Sequence, residues 1–246
     1  MSTAALVRPI SSLVALVLLF PACGGGNGEA ATGSRAVSFE SSDGVALDGR
    51  LFGAGTAAVV LAHMRPTDQR SWFDFADRLA DQSYLVLTFD FRGYCPGGEA
   101  GCSSGEREIS ELWQDVLGAI ELVRSEGATD VALVGASMGG TASLVAAAQE
   151  GTDVDAIVTL SAPIAIEGLV ADGTLLQQVS ANKLFIAGVG DAAAAADAEE
   201  LYTISPPPKR VEIVPADDHG TDLLTGPQGE VVRRTIETYL AQFAPA

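Results

Sequence analysis

Five short apolar runs constrain this chain most: Ala57 to Ala62, Tyr84 to Phe89, Val131 to Val134, Val154 to Leu160 and Leu184 to Val189. None alternates cleanly between polar and apolar residues, so each reads as a strand buried on both faces. Helical stripes lie between them. Trp72, Phe75, Ala76, Leu79 and Ala80 mark a helix over Ser71 to Gln82. Ile109, Leu112, Trp113, Val116, Leu117, Ile120 and Val123 mark one over Glu106 to Glu126, stopped by Gly127. Further helices are expected at Met138 to Gln149, Thr174 to Ala181, Ala192 to Tyr202 and Glu230 to Phe243, and a last strand at Val211 to Val214. Ala36 to Glu40 and Val45 to Phe52 do alternate, around the turn Ser41-Ser-Asp-Gly44, and read as a hairpin at one sheet edge. The pattern predicts an α/β fold: a mostly parallel sheet of about eight strands with helices on both faces. Ligands of such sheets gather beyond the carboxyl ends of the strands. His63, Asp90, Ser137, Asp191 and His219 all fall just past strand ends, and so on one rim.

The chain has 246 residues, 48% of them hydrophobic, enough for one large core; no repeat or second core is evident. A net charge of −18 excludes a nucleic-acid-binding face and a polybasic membrane patch. The N-terminus reads as an export signal over residues 1–22: Arg8 supplies a positive start, and Ile10 to Phe20 is an apolar stretch too short to span a bilayer. It ends in Phe20-Pro21-Ala22-Cys23, which resembles a bacterial lipobox with Cys23 as the lipidated residue, although Phe20 stands where a Leu-like residue is usual. The glycine-rich segment 23–35 reads as a flexible tether. The protein is therefore expected to be exported, as a membrane-anchored lipoprotein or else periplasmic or secreted, with the globular domain over 36–246. Cys95 and Cys102 have six residues between them in a glycine-rich loop, and an exported pair at that spacing can close a disulfide. No histidine lies near enough for a zinc site, and no metal or other cofactor is expected.

The chemistry centres on Gly135-Ala-Ser137-Met-Gly139, which fits G-x-S-x-G. In that motif a sharp strand-to-helix turn holds the serine hydroxyl above the sheet edge. The N–H of the following residue, Met138, then faces the place where an oxyanion forms. The alternative is a glycine-rich turn whose serine merely caps the helix, but the strand before and the helix after are the context a nucleophile needs. Such a serine requires a base. There are two histidines, His63 and His219, and His219 follows the last strand. It is the expected general base; otherwise it is a surface histidine beside two carboxylates. Asp191, ending the preceding strand, is the expected acid, giving the order Ser137, Asp191, His219. Its competing role is the N-cap of the alanine-rich helix that follows. Asp197 falls inside that helix, and Asp217 and Asp218 are placed to cap or solvate the His219 loop.

These residues together resemble the α/β-hydrolase superfamily, in particular small bacterial serine esterases of the dienelactone-hydrolase type, over about residues 36 to 246. Val59-Val-Leu-Ala-His63 resembles the strand that leads into the family's oxyanion loop, and Asp90-Phe-Arg92-Gly93 its D-x-R-G segment. The resemblance implies Ser137, Asp191 and His219 as nucleophile, acid and base. It assigns the second oxyanion N–H to Arg65, with Met64 as the alternative because the family's glycine after the histidine is Met64 here. His63 is then structural. Only about a dozen residues separate Pro163 from the helix near Leu175, so no large cap domain is expected. The Cys95 to Cys102 loop and the segment 165–173 are the available covers. The implied activity is hydrolysis of a small ester or acyl substrate through an acyl-enzyme. Peptides, lactones and acyl transfer are alternatives for the same triad, and a non-catalytic tethered binding protein is the rival from another class. The sequence does not specify the oligomeric state.

Overall fold

The structure is a computed structural model that describes residues 33–95 and 101–246. The expected signal segment 1–22, Cys23 and most of the tether 23–35 lie outside the described residues.

The chain opens with the expected hairpin, β1 (Ser34–Glu40) paired antiparallel with β2 (Ala46–Phe52). β3 (Ala57–Ala62), α1 (Phe73–Ala80), β4 (Leu85–Phe89), α2 (Leu112–Ser125), β5 (Asp130–Ala136), α3 (Met138–Ala147) and β6 (Ala156–Leu160) follow in strict alternation. After β6 come two two-residue strands, β7 (Ala165–Ile166) and β8 (Leu169–Val170), and one helical turn, α4 (Gly173–Leu176). β9 (Asn182–Gly188), α5 (Ala192–Ile204), β10 (Lys209–Val214) and α6 (Gly229–Phe243) complete the domain. The main sheet has eight strands in the order β1-β2-β4-β3-β5-β6-β9-β10. β1 and β2 run antiparallel to their neighbours and the rest are parallel.

Both faces of the sheet are covered, which is why the central strands read as unbroken apolar runs. Val60, Leu87, Leu133 and Phe185 face α2, α3 and α5, meeting Val116, Leu144 and Leu201 among others. Val59, Leu61, Val134, Val158 and Ile186 point the other way, onto Phe75 and Leu79 of α1 and Ile236 and Leu240 of α6. Each such side chain contributes about 1.5–3 kcal/mol relative to exposure. Among the described residues no helix is long and apolar enough to cross a membrane.

Three elements differ from the sequence reading. The helix expected from Glu106 begins only at Leu112, after a 3-10 turn over Ile109–Glu111. Glu106, Arg107 and Glu108 are exposed and offer the core nothing. The helix expected over Thr174 to Ala181 is a single turn capped by Asp172, whose carboxylate accepts from the Leu175 N–H at 2.9 Å. Beyond it the carbonyls of Val179 and Ala181 accept instead from the buried Lys183 ammonium, at 3.0 and 2.7 Å. The β7–β8 hairpin has a two-residue turn, Glu167-Gly168, with φ of 44° and 89°, the positive-φ pair that suits a tight hairpin. This hairpin and α4 are all that the chain inserts between β6 and β9, so no large cap covers the rim.

Candidate active site

β5 carries Ser137 out of the sheet, and α3 begins at the next residue. The turn is sharp: Ser137 has φ 49° and ψ −121°, the left-handed backbone that L-residues avoid. It is held there by its own N–H, which donates to the Leu160 carbonyl at 2.8 Å. Its hydroxyl makes no capping bond to the helix. A Cβ at Gly139 would lie 2.4 Å from the Ala62 carbonyl oxygen and 2.6 Å from that of His63. The first turn of α3 therefore sits directly on the end of β3, closer than any side chain permits. Met138 is fully buried, its sulfur accepts from the Tyr94 hydroxyl at 3.6 Å, and its N–H is the first amide of the helix, one that has no intrahelical acceptor.

The loop after β3 is built around His63, which is wholly buried. Its Nδ1 lies 2.9 Å from the Met64 carbonyl, and its Nε2 is 3.2 Å from the Phe91 N–H. Nδ1–H therefore donates, Nε2 accepts, and the ring is neutral. Burial holds its pKa down at about 4, against the Met64 hydrogen bond, which raises it. Asp90 anchors the same loop from β4: its two oxygens accept from the Gln69 N–H at 2.9 Å and the Gln69 side-chain amide at 2.7 Å. Burial pushes the Asp90 carboxyl up to about 6, and these two bonds oppose it. Arg92 turns away from the rim and forks between Asp115, at 2.6 Å, and Asp43, at 2.7 Å, tying the end of β4 to α2 and to the β1–β2 turn.

Arg65 is exposed, and its guanidinium lies 2.6 Å from Glu167 in the β7–β8 turn. The ion pair spans from the loop after β3 to the small hairpin after β6. Cys95 and Cys102 are joined as a disulfide, with their Cα atoms 4.1 Å apart. Among the described residues no group of three or more His, Cys, Asp or Glu side chains is arranged to hold a metal ion.

His219 lies in the loop after β10 and Asp191 just past β9. Asp191 stands at the N-cap position of α5 yet makes no side-chain capping bond. Its carboxylate accepts from His219 Nδ1 at 2.5 Å instead. Asp217 packs against Gly190 and Asp218 against Gly226. The His219 loop abuts the Ser137 turn: a Cβ on Gly220 would lie 3.4 Å from the Cβ of Ala136, and 2.4 Å from the sulfur of Met64. The structure thus brings together Ser137, Met138, the His63–Arg65 loop, Asp191 and His219 on one rim, and leaves the His219 side chain 43% exposed to solvent.

Residues 53–217 match the family described as serine aminopeptidase, S33. The chain belongs to that family. The S33 match runs from the residue after β2 to Asp217, and so takes in Ser137 and Asp191 and stops two residues before His219. In the solved structures the fold recurs in an esterase of Pyrococcus furiosus, with a TM-score of 0.71, 17% identity, and 86% of this chain and 93% of that one covered. It recurs as well in the dienelactone hydrolase of Anabaena variabilis, with a TM-score of 0.69, 23% identity, and 86% and 98% covered. Among curated proteins, the uncharacterized protein YfhR of Escherichia coli is 24% identical over 235 residues, covering 84% of this chain and 80% of that one. The S33 chain is thus an α/β-hydrolase in fold.

Two residues at this rim have no counterpart in the sequence reading. Ser161, directly after β6, accepts on its hydroxyl from the Gly220 N–H at 3.1 Å. Glu167 takes up the Arg65 guanidinium. The only sequence signals were a serine past a strand end and a Glu-Gly pair between Ile166 and Leu169.

Proposed function

We propose that this chain is a serine hydrolase of carboxylic esters acting outside the cytoplasm. The observation that carries the reading is the His219–Asp191 hydrogen bond beside a serine in strained, uncapped backbone at the strand-to-helix turn. Ser137 Oγ attacks the ester carbonyl and His219 Nε2 takes its proton, while Asp191 fixes Nδ1 as the protonated nitrogen and stabilises the imidazolium. The Met138 and Arg65 N–H groups stabilise the oxyanion; loss of one such donor typically costs about 10²–10³ in rate. His219 passes its proton to the leaving alcohol, and a water activated by the same histidine clears the acyl group. The esterase and dienelactone hydrolase that share the fold support an ester carbonyl as the target. The lack of a large cap suits small or surface-bound acyl substrates.

The family description favours a second reading, in which the same groups cleave an aminoacyl amide. Purified domain is treated with a fluorophosphonate probe beside Ser137→Ala and His219→Ala, then assayed on p-nitrophenyl esters of rising chain length and on aminoacyl p-nitroanilides. Labelling lost in both variants, with ester turnover exceeding anilide turnover, is the expected result. Anilide preference would move the reading to peptides. A folded wild type that takes no label would replace both with a tethered binding protein.

The export segment and Cys23 lead us to place the enzyme on a lipid anchor outside the cytoplasm. A Cys95–Cys102 disulfide is the chemistry of an oxidising compartment and supports that placement. Labelled palmitate is expected on the wild type and not on Cys23→Ser; no label on the wild type would leave a secreted or periplasmic enzyme.

A further inference from the structure

Residues 160 and 161 touch all three segments that bear Ser137, Asp191 and His219. The Leu160 carbonyl accepts from the Ser137 N–H at 2.8 Å. The Ser161 N–H donates at 2.8 Å to the carbonyl of Ile186 in β9, the strand that leads to Asp191. The Ser161 hydroxyl accepts at 3.1 Å from the N–H of Gly220, next to His219. Ser161 is 1% exposed, so water does not compete for that bond. Its φ is 54°, a left-handed conformation that a serine adopts only against strain. Gly220 also has positive φ, and its α-carbon is packed against the Met64 sulfur on the side toward the loop after β3. The base loop is thus gripped from two sides, by a hydroxyl from the end of β6 and by a thioether from the oxyanion side.

We propose that Ser161 is a positioning residue for the hydrolytic reaction: by clamping the Gly220 N–H it sets the depth and angle at which His219 faces Ser137. This rests on the function proposed above. The strained backbone at 161 fits that role: in this conformation the hydroxyl meets the loop after β10 while the amide stays on β9.

Two variants separate positioning from architecture. Ser161→Gly relieves the left-handed strain and removes the acceptor; Ser161→Ala removes the acceptor and keeps the strain. A residue kept only for architecture would leave Ser161→Gly as active as the wild type. The clamp predicts that both variants lose about 10-fold or more in kcat on a p-nitrophenyl ester. KM is expected to stay within about twofold, and fluorophosphonate labelling to slow in step. Thermal stability is expected to fall in both variants, because the buried Gly220 N–H loses its acceptor, and to fall less in Ser161→Gly, where relief of the backbone strain offsets part of the loss. Hydrogen exchange of the peptide carrying residues 217–224 is expected to quicken in both. If both folded variants keep wild-type kcat, the positioning role is overturned while the hydrolase reading stands. If the wild type turns over no ester and takes no probe, both fall together.

Discussion

Asp191 gives its carboxylate to His219 Nδ1 at 2.5 Å while occupying the N-cap position of α5 without capping it. An aspartate at the start of an alanine-rich helix ordinarily accepts from the first-turn amides, and its loss costs about 1 kcal/mol. Here the carboxylate is turned outward across the rim. Asp191→Asn keeps the size and the contact but presents a group that favours the wrong histidine tautomer. It is expected to lower kcat by roughly 10³–10⁴-fold with little change in melting temperature. A large fall in stability with modest loss of turnover would assign Asp191 to the helix instead.

Arg65 makes a different separation, between backbone and side chain. Its guanidinium is 44% exposed and its partner Glu167 57% exposed, so the pair contributes at most about 1 kcal/mol and weakens with salt. If Arg65 serves through its N–H, Arg65→Ala retains ester turnover within about twofold, as a surface change does. Steady-state kinetics of Arg65→Ala and Glu167→Gln decide the matter. A tenfold or larger rise in KM confined to Arg65→Ala would place the guanidinium on the substrate.

The Cys95–Cys102 disulfide is tied to β2 at Cys102, whose N–H donates to the Asp48 carboxylate at 2.6 Å. Loop-closure entropy at this length is about 2 kcal/mol. Cys95→Ser with Cys102→Ser is therefore expected to lower stability by about that amount in denaturant titration, with the His219–Asp191 pair intact. Thiol titration of the unreduced domain is expected to find neither cysteine free. Two free thiols before reduction would remove the effect and the pairing with it.

What the sequence made legible follows from what each residue must do locally. Uninterrupted runs such as Val131 to Val134 can be buried only between two helical layers, and a glycine pair around a serine after such a run specifies the turn. Elements defined by distant partners were less visible. The helix after Asp172 stops at Leu176, and the carbonyls of Val179 and Ala181 beyond it accept from the buried Lys183, a partner that local periodicity does not reveal. Ser161 looks like any serine at a strand end, since its partner Gly220 lies on another strand's loop. Asp191 was legible over Asp217 and Asp218 because it follows a strand end, and it is Asp191 that meets the His219 ring. Met64, the residue that departs from the family's glycine, has its reason in Gly220, whose missing side chain leaves room for the thioether.

The two buried titratable groups at the loop after β3, His63 and Asp90, give a prediction with a definite sign. His63 is held near 4, below its ordinary value of 6.5, so its contribution is present above about 6.5 and is lost as pH falls toward 4. Asp90 is raised from 3.8 to about 6, so its effect is opposite: stability is greatest below about 4 and is lost as pH rises through 6. Between pH 4 and 6.5 the unfolded chain protonates His63 while the folded chain protonates Asp90, and the two slopes largely cancel. Asp90→Asn removes one slope and keeps the other. Its stability relative to the wild type is expected to fall by on the order of 2 kcal/mol as pH drops from 6.5 to 4. The other carboxylates titrate alike in both proteins and leave the difference unchanged. Denaturant titrations of both proteins at half-unit pH steps measure that difference. Parallel pH curves would mean that the Asp90 carboxyl titrates at its ordinary value, with the Gln69 hydrogen bonds outweighing burial.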